Sequence, residues 1–146
     1  MSYCRIDAAP IRRHDPVVEA DAVVVQDPTL LHDPTLLAGL HPYGYLLVNT
    51  RRSIEELGLG DLASTLARDR LLNVAATDLA MEVIGRPLPN TVLLGGLAQM
   101  TGVVTVDAVE AAIRRRFTGP VAEANVVAAR RAAQFVAEEM EALSRA

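Results

Sequence analysis

Aromatic residues are scarce in this sequence, and tryptophan and lysine are absent. Aromatics make up 3% of the chain, and the 14 basic residues, all of them arginine, are outnumbered by 18 acidic ones. Proteins that bind nucleic acid normally carry a basic excess and often aromatic stacking platforms, so this composition argues against that class. The lack of lysine excludes Schiff-base chemistry and a lysine acting as a general base.

Thiols and imidazoles are also few. The single cysteine, Cys4, cannot close a disulfide within the chain, and one thiolate is too few for an iron–sulfur cluster, which takes about four. We therefore expect this chain alone to bind no cofactor and no metal, and any cluster to sit on another chain. The three histidines show no metal-ligand spacing, and we interpret them as surface residues: His14, His32 and His41.

The N-terminus lacks the basic start and apolar stretch of a signal peptide, and no apolar run approaches the roughly 20 residues of a membrane span. We therefore expect a cytoplasmic protein without membrane contact. A chain of 146 residues with 51% hydrophobic residues fits one compact domain over residues 1–146.

Short apolar runs alternate with helix-forming segments along the chain. The runs at 21–27, 44–50 and 70–77 predict buried strands, the last of them leading into a turn. This alternation with short connections predicts an α/β layer fold with a mainly parallel sheet and right-handed crossovers. Helices are predicted over 33–40, from Ser53 onward, and over 61–69, 78–85, 91–102, 107–117 and about 121–143.

Residues that can cap free backbone N–H groups precede most of these helices. The pentapeptide DPTLL occurs at 27–31 and again at 33–37, which predicts two adjacent turns or caps rather than a repeat architecture. The predicted caps are Asp33 followed by Pro34, Ser53 in a capping box with Glu56, Asp61, Thr77 and Asn90.

Several stretches together cover nearly the whole chain and form one recognisable set. The opening SYCRIDAAPI (2–11) and the block AATDLAMEVIGRPLPNTVLLGGLAQMTGVV (75–104) are joined by VVVQDPTLL (23–31), YLLVNT (45–50) and AEANVVAARRAA (122–133). This set resembles the gamma subunit, or gamma domain, of the 2-oxoacid:ferredoxin oxidoreductases, which oxidatively decarboxylate pyruvate and related 2-oxoacids. The resemblance implies a three-layer Rossmann-like α/β fold.

The sequence also departs from that family. Its members usually begin with a strand and a G-x-G-G-Q-G loop that opens a helix, and neither precedes SYCRID here. Without that strand the sheet would expose backbone edges, which makes a poor monomer. We interpret Met1 as an internal methionine of a longer protein, so that the gamma-type domain is N-terminally truncated, with supply of the missing elements by another chain as the alternative.

Ligands of open parallel sheets collect beyond the carboxyl ends of the strands, so those ends are the first candidate positions. Asp27 and Thr29 follow the first strand, Asn49 to Arg52 follow the second, and Ala76 to Asp78 follow the third. We predict that Asp27, Thr29 and Thr77 belong to a strand-end ligand loop. The alternative for Asp27 and Thr29 is a simple turn before proline.

Two arginines, Arg51 and Arg52, follow the second strand just ahead of a predicted helix N-terminus. Such a pair could hold a phosphate through charge-assisted hydrogen bonds, and the resemblance points to a phosphate of coenzyme A. The alternative is that both are solvated surface arginines.

The helix with the strongest family likeness begins at Asn90 and Thr91 and contains Gly95 and Gly96. It is apolar nearly all round, which favours burial on several sides. Each glycine costs roughly 1 kcal/mol relative to alanine, and close approach of another backbone would compensate. We predict that these four residues form a subunit contact or a substrate-pocket wall, with plain N-capping as the alternative for the first two.

A second arginine-rich surface, comprising 114–116 and 130–131, could dock an acidic carrier, which in this family would be ferredoxin. Because the same helices carry comparable acid, ordinary solvation is the favoured interpretation. The helix over 107–117 is predicted to be a surface helix with Glu110 and Arg114 in the favourable order of an i, i+4 pair.

No motif for independent catalysis is present: the sequence has no G-x-S-x-G, no H-E-x-x-H and no P-loop lysine. The resemblance implies a non-catalytic gamma subunit in a complex with alpha, beta and cluster-carrying delta subunits. Thiamine diphosphate and iron–sulfur clusters would sit on those partners, and the complex would use a 2-oxoacid, coenzyme A and ferredoxin. The alternative is a structural or partner-binding module derived from the same fold.

Overall fold

The computed structural model describes residues 1–33 and 35–145. Residues 1–19 carry no regular secondary structure. They lead into β1 (Ala20–Val25), which pairs in parallel with β2 (Leu40–Asn49), and β2 pairs in parallel with β3 (Leu71–Val74). The sheet order is therefore β1-β2-β3. This architecture confirms the α/β class and the parallel sheet.

Five α-helices occur in the described part of the chain, and three of them pack near one face of the sheet. Two short 3-10 helices, Pro28–His32 and Arg68–Arg70, lie in the connections between strands. The α-helices are α1 (Gly60–Thr65), α2 (Ala76–Ile84), α3 (Asn90–Thr101), α4 (Val106–Arg116) and α5 (Gly119–Arg145).

The sheet is buried on both faces, which explains its apolar runs. On β2, the fully buried Leu47 packs with α2, α3 and α5, while its neighbours Leu46 and Val48 face a separate apolar cluster that includes residues of α1. Successive side chains of a strand point to opposite faces, so an uninterrupted run of large aliphatic residues suits a strand covered on both sides. The two apolar clusters make the fold three-layered.

The predicted helix over 33–40 is absent from the described residues, and turns occupy 35–39 before β2 begins. The carboxylate Oδ1 of Asp27 accepts hydrogen bonds from Thr29 N at 3.0 Å and Oγ1 at 2.7 Å. Asp33 makes the same pair of bonds with Thr35, at 2.8 and 2.7 Å. The two DPTLL segments nevertheless differ. Asp27 caps the 3-10 helix Pro28–His32, whereas the bonds at Asp33 precede turns at 35–39, a local alternative to an α-helix. The repeat thus forms a cap and a turn, within the predicted alternatives, although Pro34 lies outside the described residues.

The capping box at Ser53 forms, but no helix follows it. Ser53 N donates to Glu56 Oε2 at 2.7 Å, and Glu56 N donates to Ser53 Oγ at 3.2 Å. A single turn results, and it ends at Gly58, whose φ of 73° is in the left-handed region. The next helix, α1, is shorter than predicted, and Asp61 lies inside its first turn without capping it.

Two further predicted caps are wrong. Thr77 is the second residue of α2, which begins at Ala76, and the cap position is held by Ala75 without a side-chain bond. Asn90 is the first residue of α3 and makes no side-chain cap bond, because Pro89 occupies the cap position. Pro89 already has helical dihedral angles, with φ −75° and ψ −4°.

Helices α3 and α5 approach each other through glycine. A Cβ atom added to Gly95 would lie 2.2 Å from the backbone oxygen of Ala129 in α5, so no other residue fits without displacement. Gly96, one residue on, faces the side chains of Leu47 and Val136. The close backbone approach predicted for this helix is confirmed at Gly95, and the backbone belongs to the same chain.

The helix α4 carries a buried charge that its surface pattern did not predict. Val109 and Ile113 pack against α5 as expected from their spacing, and Glu110 is buried beside them with a side chain 4% exposed. Its carboxylate pairs with Arg114 of the same helix at 3.3 Å and with Arg130 of α5. The expectation of an ordinary surface helix is therefore wrong at this position.

Candidate functional site

The carboxyl ends of the strands are held together by one side chain, Asn49, at the end of β2. Its amide nitrogen donates to Gln26 O, just past β1, and to Thr77 Oγ1 in α2, both at 2.8 Å. Its amide oxygen accepts from Thr77 N at 3.1 Å. Asn49 is 8% exposed, so these bonds satisfy a buried polar group. The side chain of Asn49 thus caps α2 from another element and fixes where the helix starts.

A second set of polar contacts joins β2 to β3 at the same edge. Thr50 N donates to Val74 O at 3.0 Å, and Asn73 Nδ2 donates to Thr50 O at 3.2 Å. The hydroxyl of Thr50 accepts from Arg52 N at 3.1 Å. These bonds fix the direction in which the chain leaves β2, and so the placement of the two arginines that follow.

Arg51 and Arg52 have different surroundings. The Nε of Arg51 donates to Asp78 Oδ2 in the first turn of α2. This contact lowers the pKa of Asp78 and raises the pKa of Arg51, through the hydrogen bond first and the opposite charge second. The guanidinium of Arg52 instead donates to the backbone oxygen of Glu56. The guanidiniums of Arg51 and Arg52 therefore have separate partners, and their role as phosphate contacts stays a prediction.

An open groove of about 530 Å³ lies beyond the ends of β2 and β3 and reaches α5. Hereafter it is called the strand-end groove. Two arginines line it, Arg51 near one carboxylate of α2 and Arg131 bonded to another, Glu82, at 2.6 Å. Its lining residues are Thr50, Arg51, Asn73, Val74, Ala75, Asp78, Leu79, Glu82, Arg131 and Phe135.

Sequence reasoning found only part of this groove. It named the strand ends that carry Arg51 and Asp78, which both line the groove, but it missed the ion pair between them and the contribution of α5. The arginine at 131 was interpreted as part of another surface, and Phe135 was not considered. The position of Phe135 one turn after Arg131 on a long helix places both on one face, and this spacing was readable from the sequence.

Asp27 and Thr29 lie outside the groove lining. Their side chains bond to each other, as described above, and the hydroxyl and amide of Thr29 lower the pKa of Asp27 in that order. The bonds match the turn-before-proline interpretation. A ligand role for these two residues, and for Thr77, stays a prediction.

The first two residues of α3 have different surroundings. Asn90 is exposed, whereas the hydroxyl of Thr91 donates to Asn125 Oδ1 of α5 at 2.7 Å. Gly95 and Gly96 are buried by their own chain. Both glycines therefore lie at contacts inside the chain, Gly95 against the backbone of α5, and their role in a subunit contact or a substrate-pocket wall stays a prediction.

The predicted carrier-docking arginines are largely engaged with acids. Arg114 pairs with Glu123 at 2.9 Å as well as with Glu110, and Arg131 pairs with Glu82. The hydrogen bond that Arg114 donates to Glu123 is the first cause of the raised pKa of Arg114. This arrangement agrees with the favoured interpretation of a charge-balanced surface.

Among residues 1–33 and 35–145, no group of three or more His, Cys, Asp or Glu side chains is placed to hold a metal ion. Cys4 is exposed and free. The donor set does not fit an iron–sulfur cluster, because one thiolate supplies a quarter of the usual ligands. Across the same described ranges, no helix is both long enough and apolar enough to cross a membrane.

Comparison with known proteins gives one consistent result. The profile of a family described as "POR: Pyruvate ferredoxin/flavodoxin oxidoreductase" matches residues 1–135. "Pyruvate/ketoisovalerate oxidoreductases common subunit gamma" of Pyrococcus abyssi is 41% identical over 133 residues, which cover 90% of this chain and 69% of that protein. "Pyruvate synthase subunit PorC" of Methanothermobacter thermautotrophicus is 35% identical over 132 residues, with coverage of 90% and 68%.

A solved structure agrees with these relatives. The crystal structure of pyruvate oxidoreductase subunit PORC from Thermotoga maritima matches with a TM-score of 0.69 and 38% identity, over 81% of this chain and 64% of that one. The chain thus spans somewhat less than two thirds of the solved subunit. The family match over residues 1–135 includes the strand ends, α3, α4 and the first part of α5.

Proposed function

This chain belongs to the pyruvate ferredoxin/flavodoxin oxidoreductase family, and from that membership we propose that it acts as the gamma subunit of a 2-oxoacid:ferredoxin oxidoreductase complex. The complex would convert a 2-oxoacid, coenzyme A and oxidised ferredoxin into an acyl-CoA, carbon dioxide and reduced ferredoxin. The observation that carries the proposal is the family match over residues 1–135.

The side chains of the strand-end groove favour a role in assembly and ligand approach over a catalytic role. The strand-end groove holds arginines, carboxylates and apolar groups, with no thiol or imidazole to act as nucleophile or base. In the proposed complex, thiamine diphosphate on the alpha and beta subunits supplies the carbanion stabilisation that side chains cannot, and iron–sulfur clusters carry the electrons out. The gamma chain would complete the assembly and shape the approach of coenzyme A.

Arg51 is the proposed contact for a coenzyme A phosphate. It lines the strand-end groove, and its side chain is 74% exposed, so a ligand can reach it. The guanidinium also lies near the first turn of α2, where the helix dipole favours anions. Arg52 is the second proposed phosphate contact, and its guanidinium would have to leave Glu56 O to reach the ligand.

The exposed side of α3 is the proposed subunit contact. Asn90 and Leu94 lie four residues apart and therefore share one helix face. Leu94 is 40% exposed and Leu88, just before the helix, is 51% exposed. An apolar patch next to an exposed amide suits a partner surface, since interface cores are depleted in charge. Thr91 would contribute by holding the start of α3 on α5.

The remaining assignments are proposals of the same kind. Residues 1–146 would form one gamma-type domain, with alpha, beta and cluster-carrying delta subunits as partners and ferredoxin as the electron acceptor in the cytoplasm. The turn at Asp27 and Thr29, together with Thr77, would border the ligand approach at the strand ends.

The deciding experiment is an anaerobic purification of the tagged chain from its native host. The eluate is assayed for viologen reduction that depends on both a 2-oxoacid and coenzyme A, and the masses of co-purified chains are read. Thiamine- and cluster-containing chains with that activity would support the proposal. A chain that elutes alone and inactive would contradict it and favour a structural module of the same fold.

A further inference from the structure

Asp78 already pairs with Arg51, the cation to which a phosphate would bind. Arg51 donates through Nε alone, and its two Nη groups have no hydrogen-bond partner among the described residues. The carboxylate of Asp78 is 45% exposed and lies in the same groove lining. A ligand phosphate that reached the guanidinium would therefore meet a fixed negative charge beside it.

We propose that Asp78 is an intramolecular competitor at the strand-end groove, which binds a phosphate-bearing small molecule by exchanging the Arg51–Asp78 pair for an Arg51–phosphate pair. The inference rests on the proposed function, because it takes Arg51 as the phosphate contact. It adds a residue that sets how tightly the groove holds an anion.

Two opposing effects of Asp78 have to be compared. Its hydrogen bond orients Arg51, which would favour ligand binding, and its charge repels the ligand. An exposed ion pair contributes little stabilisation, because both charges are solvated and the two side chains lose conformational freedom. Repulsion of a phosphate by a carboxylate within one side-chain length grows with the ligand's charge, and pyrophosphate carries at least two negative charges at neutral pH. The repulsion therefore outweighs the orientation.

The other end of the groove has the same arrangement. Glu82 lies one helical turn after Asp78 on α2 and holds Arg131 of α5. Two cations thus flank an apolar floor that includes Leu79 and the half-exposed Phe135. A phosphate-bearing molecule with an apolar or flat portion fits this arrangement. Its apolar portion can pack on Leu79 and Phe135 while its phosphate takes the place of a carboxylate on one of the arginines.

Binding of pyrophosphate to the full chain, measured by isothermal titration at low salt, tests the exchange. We expect Asp78→Asn to tighten binding by about threefold to tenfold, because it removes one negative charge next to the bound anion. Arg51→Ala should abolish measurable binding, and the double variant should behave like Arg51→Ala. The matched control is Asp61→Asn, which makes the same change in net charge in the first turn of α1, outside the groove lining.

Three results would overturn the proposal. Weaker binding by Asp78→Asn would make Asp78 a positioning residue, and equal tightening by Asp61→Asn would mean that net charge alone acts. Absence of pyrophosphate binding to both the wild-type chain and Asp78→Asn would remove Arg51 as an anion site. None of these results affects co-purification with partner subunits, so failure here is distinguishable from failure of the proposed subunit role.

Discussion

Gly95 in α3 lies directly against the backbone oxygen of Ala129 in α5: a Cβ atom on residue 95 would be 2.2 Å from that oxygen. Neither residue can move aside easily, because the contact involves the backbones of both helices. The same helices bury the apolar side chains that cover one face of the sheet. Gly95 therefore determines how closely α3 and α5 can pack.

We predict that Gly95→Ala lowers the free energy of unfolding by about 1–3 kcal/mol, because the added methyl group forces the two helices apart. The matched control is Gly96→Ala, whose Cβ would sit 3.4 Å from Leu47 Cδ2 and Val136 Cγ2, an ordinary contact. Alanine there should be neutral or stabilising by up to about 1 kcal/mol through helix propensity. Urea unfolding of both variants measures the difference, and equal effects would contradict it.

Asn49→Ala should lower the free energy of unfolding by about 2–3 kcal/mol, since it leaves Gln26 O and Thr77 N without their buried partner. Asn73→Ala removes one bond of 3.2 Å from a partly buried side chain. Its cost should be about 1 kcal/mol. If chemical denaturation showed the two alanine variants to be equally stable, Asn49 would not be the tie between the strand ends.

The role of Asn49 also shows what the sequence could and could not predict. The strands were predictable because their apolar runs are long enough to cover both faces of a sheet. The repeated local motif indicated turns or caps at Asp27 and Asp33, but it also led to the wrong prediction of a helix over 33–40. Asn49, however, bonds to residues 23 and 28 positions away. Which polar side chain meets which helix start depends on strand order, and no local pattern encodes that.

The same limit applies to the two arginine surfaces. The i, i+4 pair of Glu110 and Arg114 was predicted from spacing and is present. Burial of Glu110 and its bond to Arg130 were missed, because they depend on the packing of α4 against α5. Likewise, Arg131 was assigned to a docking surface, but the arrangement of α2 and α5 places it in the strand-end groove.

Glu110 provides a test of coupling between two arginines. Either Arg114→Ala or Arg130→Ala leaves one guanidinium on the buried carboxylate, so each should cost about 1 kcal/mol. The double variant leaves the charge unpaired and should cost about 3 kcal/mol or more, beyond the sum of the singles. Arg131→Ala is the neighbouring control, because its partner Glu82 is 67% exposed, and should cost less than about 1 kcal/mol. Additive effects in thermal unfolding would argue against the shared carboxylate.

The turn at Asp27 predicts a pH dependence with a definite sign. Bonds from Thr29 lower the pKa of Asp27 below its ordinary 3.8 in the folded chain, so the ionised form stabilises the fold. That stability is present above pH 3.8 and is lost as the pH falls through the lower folded value. The stability difference between the wild type and Asp27→Ala should therefore shrink in acid.

Thr29→Val separates the causes of that dependence. It removes the hydroxyl bond of 2.7 Å, the larger cause, and leaves the amide bond of 3.0 Å. The pH dependence of unfolding should become weaker without disappearing. Urea titrations between pH 6 and pH 3 measure it, and a stability difference that stays constant over this range would refute the assignment.

Substitutions of the first two residues of α3 can distinguish a contact with a partner subunit from a contact within the chain. Asn90→Arg places a charge on the proposed subunit surface, where Leu94 is 40% exposed, and an unpaired charge in an interface core is costly. We expect this variant to lose co-purification with partner subunits while its unfolding free energy stays within about 0.5 kcal/mol of the wild type. Thr91→Val should do the opposite, because it removes the bond of 2.7 Å to Asn125 inside the chain.

This pair of neighbouring substitutions makes the interface claim falsifiable without a structure of the complex. Thr91→Val should lower the unfolding free energy by about 1–2 kcal/mol, since the buried Asn125 oxygen loses its donor. Partner binding by the chains that remain folded should be retained. If Asn90→Arg still co-purified with every partner at wild-type yield, this face of α3 would be solvent-exposed in the complex, and the subunit contact would have to lie on another surface.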